Sequence, residues 1–176
     1  MGTFLSGLAL LMALPALADF VTGHPNASAF VAGMAITGGA GGALILAFRT
    51  KRKPVIGRRE GFLLITLSWI VACAFAALPF MLSHEALGFA DAFFEATSGL
   101  TTTGSTIMTD LNGESHGILL WRALLHWVGG IGIIVIAVMM LPYLRVGGMQ
   151  LFRAESSDKS DKIRARVSEM TWEMFS

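Results

Sequence analysis

Between Phe89 and Met108 the chain reads FADAFFEATSGLTTTGSTIM, and the chemistry this stretch can do belongs to its backbone. Thr101, Thr102 and Thr103 are β-branched and favour extended backbone, whereas Gly104 reaches the positive φ that other residues avoid. Such a run, closed by Ser105, can turn successive carbonyl oxygens toward one axis. Carbonyl oxygens so arranged replace the water shell of a dehydrated monovalent cation, as in glycine-containing channel filters. A helix ending just before the turn would aim its partially negative C-terminus at the same place. Other chemistries lack their residues: no Ser or Cys nucleophile has a matched base, and there is neither a His/Glu metal spacing nor a phosphate loop. Asp91 and Glu95, one helical turn apart, are the nearest thing to an acid–base pair. Without a histidine or metal-ligand cluster beside them they read as solvated or pore-helix carboxylates.

The elements that would position this turn follow from apolar spacing. Phe89, Ala92, Phe93 and Ala96 recur at helical intervals, and the pattern halts at Ser98-Gly99, where glycine commonly follows a helix end. About ten helical residues rise roughly 15 Å, half the hydrocarbon thickness, so the segment must enter a membrane and return. Irregular backbone at that depth is tolerated only against protein or a water-filled cavity. Composition agrees with a membrane setting: the 176 residues are 54% hydrophobic and 14% charged, with a mean hydropathy of +0.66. Cys73 is the one cysteine and lies in an apolar run, which excludes a disulfide framework or cysteine metal site.

In chain order, residues 3 to 21 form an apolar run interrupted by Pro15. Ala16-Leu17-Ala18 before Asp19 resembles a signal cleavage site, but no Lys or Arg precedes the run, which favours a retained span. The link 22 to 28 holds His24, Pro25 and an Asn26-Ala27-Ser28 glycosylation pattern. The span 29 to 48 carries Gly38 and Gly42 four apart, a face suited to close helix packing. Residues 49 to 60 hold six basic residues; a nucleic-acid patch is the alternative, but between two spans the positive-inside rule reads them as a cytoplasmic loop, with no nucleic acid involved. A third span, 61 to 82, precedes a stretch from Ser83 to Gly117 that has no Lys or Arg and includes Glu85, Asp91, Glu95, Asp110 and Glu114, an external acidic mouth. The fourth span, 118 to 144, opens with Trp121 and Arg122 at interface depth, and contains His126 and Gly129, Gly130 and Gly132. The tail, 145 to 176, has six basic and five acidic residues and reads as cytoplasmic, with Ile163, Val167 and Met170 at amphipathic spacing. The fold class expected is an all-α membrane protein. Two leading transmembrane helices (1–48) and a basic loop (49–60) precede one helix, re-entrant pore loop, helix repeat (61–144: span 61–82, pore helix 89–99, filter turn 100–106, span 118–144), and a cytoplasmic segment (145–176) follows.

FFEATSGLTTTGST, together with WVGGIGIIVIAVMMLPYLRVGGMQLFRAE, resembles the membrane subunits, TrkH and TrkG, of bacterial Trk potassium uptake systems, within the Trk/Ktr/HKT superfamily. The resemblance covers nearly the whole chain and implies four non-identical pore repeats around one axis, behind two leading helices. It implies that K⁺ is the transported ion, bound by backbone carbonyls of Thr102 and Thr103 before the filter glycine Gly104, with Thr101 and Ser105 flanking, and that no organic cofactor is needed. It further implies a bacterial inner-membrane location among lipid, a homodimer, and a cytoplasmic nucleotide-binding gating subunit. Only one such turn is present, so the remaining repeats would come from a longer chain or from a tetramer. The competing class is a membrane adaptor or sensor whose re-entrant helix is structural and whose tail recruits a partner.

Overall fold

The computed structural model describes residues 1–48, 58–109, 111 and 113–140, and every regular element among them is helical. Two compact units divide the chain, Met1–Ile134 and Val135–Ser176; of the second only the end of one helix is described. Most of the basic loop, the acidic residue Asp110 and the tail with Ile163, Val167 and Met170 lie outside the described residues.

The first apolar run forms α1 (Gly2–Leu11) and α2 (Ala13–Thr22), together long and apolar enough to cross a membrane. The break at Met12 lies one turn before Pro15, whose ring has no N–H and crowds the preceding turn. Gly23, with φ +71°, ends α2, and α3 (Ala27–Ala47) follows. Pro79 does the same for the next span, dividing it into α4 (Arg58–Ala76) and α5 (Leu78–Leu82). After α6 (Phe89–Leu100) and a loop, α7 (His116–Met140) is the fourth element of spanning length.

Small residues set how closely these helices approach. On α3 the buried face is Gly33, Thr37 and Gly41, spaced by four. A Cβ on Gly41 would lie 2.9 Å from the Ser6 backbone nitrogen, so α1 and α3 touch through main chain. Gly38 faces the Ala9 methyl, whereas Gly42 has open space around it, so the expected Gly38–Gly42 contact is carried by Gly41 instead. Gly33 meets Pro79 and Met12, where both proline bends converge. The core between the leading helices and the rest is Met12, Phe30, Phe80, Trp121 and Leu125, with Phe30 and Trp121 edge to face at 6.3 Å. Trp121 is fully buried and its indole N–H donates to the Ala76 carbonyl at 3.0 Å, three residues before Pro79. The tryptophan expected at the interface is therefore an internal partner for backbone at a proline bend.

A buried polar network fixes where α7 starts. Asp19 is completely buried; one of its oxygens accepts from the Gly117 N–H at 2.7 Å and the other from the Ser115 hydroxyl at 3.0 Å. Ser115 Oγ accepts in turn from the Ile118 N–H, a helix N-cap, and from the Asn26 side-chain amide. The Asn26 carbonyl oxygen accepts from the His84 N–H at 2.6 Å. A carboxylate at the positive end of α7 satisfies donors that would otherwise be orphaned in an apolar setting. Both functional atoms of Asn26 are thus engaged and buried, which removes the glycosylation pattern read from its triplet. Replacing Asp19 by Ala strands the Gly117 N–H and the Ser115 hydroxyl, at a cost of about 1–3 kcal/mol for each buried group left unpaired. Thermal unfolding of the purified protein is expected to show a midpoint several degrees lower for Asp19→Ala and unchanged for the exposed Glu85→Ala.

Candidate functional site

The site is built on the end of α6. Thr101 follows the last helical residue, and the N–H of Thr102 then bonds the Gly99 carbonyl at 2.9 Å while that of Thr103 bonds the Ser98 carbonyl at 2.9 Å. These two bonds define a Schellman helix stop, whose left-handed position here is Thr102, with φ +58°. Gly99 does not end the helix as its type suggested. Its role is clearance, since a Cβ there would lie 2.9 Å from the Leu125 Cβ on α7. Nor are the three threonines uniformly extended, because a β-branched residue at positive φ is a rare and strained conformation. Gly104, at φ +81°, is the second left-handed residue of the turn.

This arrangement spends the donors and leaves the acceptors. The N–H groups of Thr101, Thr102, Thr103 and Gly104 all bond carbonyls in the last turn of α6. Among the described residues, no hydrogen bond is recorded to the carbonyl oxygens of Thr101, Thr102, Thr103 or Gly104. Residues 101–107 are all exposed. Thr101 Oγ1 donates to the Thr97 carbonyl and lies 2.8 Å from Thr103 Oγ1, so these hydroxyls are tied to the helix side.

Past Gly104 the chain is held by two side chains of α6. Ser98 Oγ donates to the Ser105 carbonyl at 2.6 Å. Glu95 Oε1 accepts from Thr106 Oγ1 at 2.6 Å and from the Ile107 N–H at 2.7 Å. Its other oxygen forms an ion pair with Arg122 Nε at 3.1 Å, the glutamate side chain having no exposure and that of the arginine 14%. Glu95 is therefore not part of a solvated acidic mouth, whereas Asp91 on the same helix is exposed. Arg122, expected at the interface, is turned inward to this carboxylate.

From α7, Gly129 meets the Leu100 carbonyl so closely that any side chain there would collide with it, and Gly130 faces the Thr102 methyl. Gly129 and Gly130 thus permit tight packing of α7 against the end of α6. His126 Nδ1 is 2.8 Å from the Arg122 carbonyl oxygen, which can only accept, so this nitrogen carries a proton and Nε2 is the side toward Gly104. The histidine thus makes a structural hydrogen bond within its own helix.

Sequence reasoning found the turn and missed its supports. Ser98, Asp19 and the joint role of Glu95 and Arg122 were visible only as polar types in apolar segments. Such residues are functional candidates by default, and that was the available signal. Among the described residues, no group of three or more His, Cys, Asp or Glu side chains is placed to hold a metal ion.

The model of a family described as TrkH, cation transport protein, matches residues 26–174. The chain is 45% identical over 161 residues to the Trk system potassium uptake protein TrkI of Halomonas elongata, covering 91% of this chain and 32% of that protein. It is 50% identical over 122 residues to the Trk system potassium uptake protein TrkH of Escherichia coli strain K12, covering 68% of this chain and 25% of that one. The crystal structure of the potassium transporter TrkH from Vibrio parahaemolyticus superposes with a TM-score of 0.77 at 34% identity, over 92% of this chain and 35% of that structure. The matches thus span between a quarter and about a third of the length of these relatives. With every described element helical, four helices of spanning length among the described residues and these matches, this multi-pass membrane chain belongs to the TrkH family of cation transport proteins, and it is not an enzyme.

Proposed function

We propose that this chain supplies one of four pore loops of a potassium uptake protein in the bacterial inner membrane, with residues 61–144 as its first pore repeat. The observation that carries this reading is the turn from Thr101 to Gly104, whose N–H groups are spent on α6 while its carbonyls stay open. Oxygens of Thr102 and Thr103 replace the hydration shell of K⁺, and Thr101 and Ser105 flank them. Gly104 lets the backbone turn, and the C-terminal end of α6 adds a partial negative charge toward the ion. The potential across the membrane drives the cation inward at about 2.3 kcal/mol per charge per 100 mV. On the same reading the other three loops come from further repeats of a longer chain, and the segments 49–60 and 145–176 are cytoplasmic. The assembly is a homodimer gated by a cytoplasmic nucleotide-binding subunit.

Two substitutions probe the turn in potassium-dependent growth of an uptake-deficient host. Gly104→Ala forces a side chain into left-handed backbone, a cost of roughly 1–2 kcal/mol at the point of ion contact. Rescue by the full-length protein is expected to be lost at an unchanged membrane level; normal rescue with unchanged K⁺ over Na⁺ preference removes the filter reading. Thr102→Gly relieves the left-handed threonine and is expected to raise the unfolding temperature while lowering ion preference, because glycine leaves the turn less constrained.

A further inference from the structure

We infer that Glu95 is a positioning residue for ion selection, acting through Thr106 and Ile107 to set where the carbonyls of the turn stand. The inference rests on the filter reading above and adds to it the part that holds the filter to size. Whether carbonyl sites discriminate by cavity size or by the number and field of their dipoles, they do so only if the strand bearing them stays in place.

Little else in the described chain can keep it there. Residues 101–107 are all exposed, so side-chain packing does not clamp them. Leading into Gly104, the helix stop fixes the backbone; leading away from it, Ser98 holds one carbonyl and Glu95 holds the next two residues. Glu95 is 1% exposed, so water cannot substitute for the bonds it makes. Two donors converge on Glu95 Oε1, the Thr106 hydroxyl and the Ile107 N–H, while Oε2 has no hydrogen-bond partner and faces the Arg122 guanidinium as an ion pair at 3.1 Å. Glutamine, with one acceptor oxygen and an amide NH₂, would turn a donor toward either Arg122 or the strand. The site therefore needs a carboxylate, and Arg122 compensates its charge where burial would otherwise penalise it. Arg122 also receives the His126 Nδ1–H on its carbonyl, so one turn of α7 braces the carboxylate and presents His126 to Gly104.

The test measures tracer uptake by the full-length protein in vesicles, with K⁺ competing against Na⁺. Glu95→Gln and Thr106→Val are each expected to lower the K⁺ over Na⁺ preference by about tenfold at wild-type membrane levels, the scale of one lost charge-assisted hydrogen bond. Thr106→Ser, which keeps the hydroxyl, retains wild-type preference, an outcome that simple loss of packing would not give. Arg122→Gln has the effect of Glu95→Gln, and the double variant is no worse than either. Wild-type preference in Glu95→Gln at normal membrane level overturns the inference. Should that variant fail to insert, identical wild-type preference in Thr106→Val and Thr106→Ser overturns it equally. Gly104→Ala separates the two levels: preference lost there but kept in Glu95→Gln sinks this inference alone, and preference unchanged in both sinks the filter reading beneath it.

Discussion

Backbone that leaves a helix must find new partners for its hydrogen-bonding groups, and the turn after α6 does so unevenly. Donors from Thr101 to Gly104 are all satisfied by the carbonyls of Thr97, Ser98 and Gly99. Acceptors in the same residues have no such partner recorded among the described residues. Residues 101–107 are exposed, so these carbonyls are free to meet water or an ion. Under the proposed function, donors spent inward and acceptors left open suit the binding of a cation.

The rest of the described chain serves that asymmetry. Gly99 and Gly129 let α7 lie against the last turn of α6, closing off the side on which donors are tied. Glu95 and Ser98 hold the returning strand at distances between 2.6 and 2.7 Å. Arg122 supplies the charge that a buried carboxylate needs. The leading helices act one step further back: Asp19 fixes the first turn of α7, and Phe30 with Met12 packs against Trp121 and Phe80. Asp19, near the start of the chain, and the turn after α6 are thus both tied to α7.

Much of the fold was legible because membrane spans announce themselves by length and apolar content, and a half-length helix followed by TTTGST stands out among them. The turn after α6 was legible in its residue types, whereas the side chains that support it were not. Asp19 bonds a residue 98 positions away, and nothing local distinguishes it from a polar residue at a span end. Trp121 and Arg122 at the head of a span fit the pattern of interface anchors, yet a proline bend and the buried Glu95 carboxylate draw both inward. Glycine type misled in two ways. Gly99 suggested a helix end where it provides clearance, and Gly38 with Gly42 suggested a face that the α3 register gives to Gly33, Thr37 and Gly41. Thr102 at positive φ lay beyond propensity altogether, since the helix stop, and not the residue's own preference, imposes it.

The account stands on the direction in which four carbonyls face. Anomalous diffraction from crystals of the full-length protein soaked in rubidium or thallium, whose anomalous signal is stronger than that of potassium, reads that direction without passing through function. An anomalous peak coordinated by the carbonyl oxygens of Thr102 and Thr103, on an axis shared with the other loops, is the expected result. A well-ordered turn with no peak beside it, its carbonyls diverging into solvent or lipid, would contradict the account.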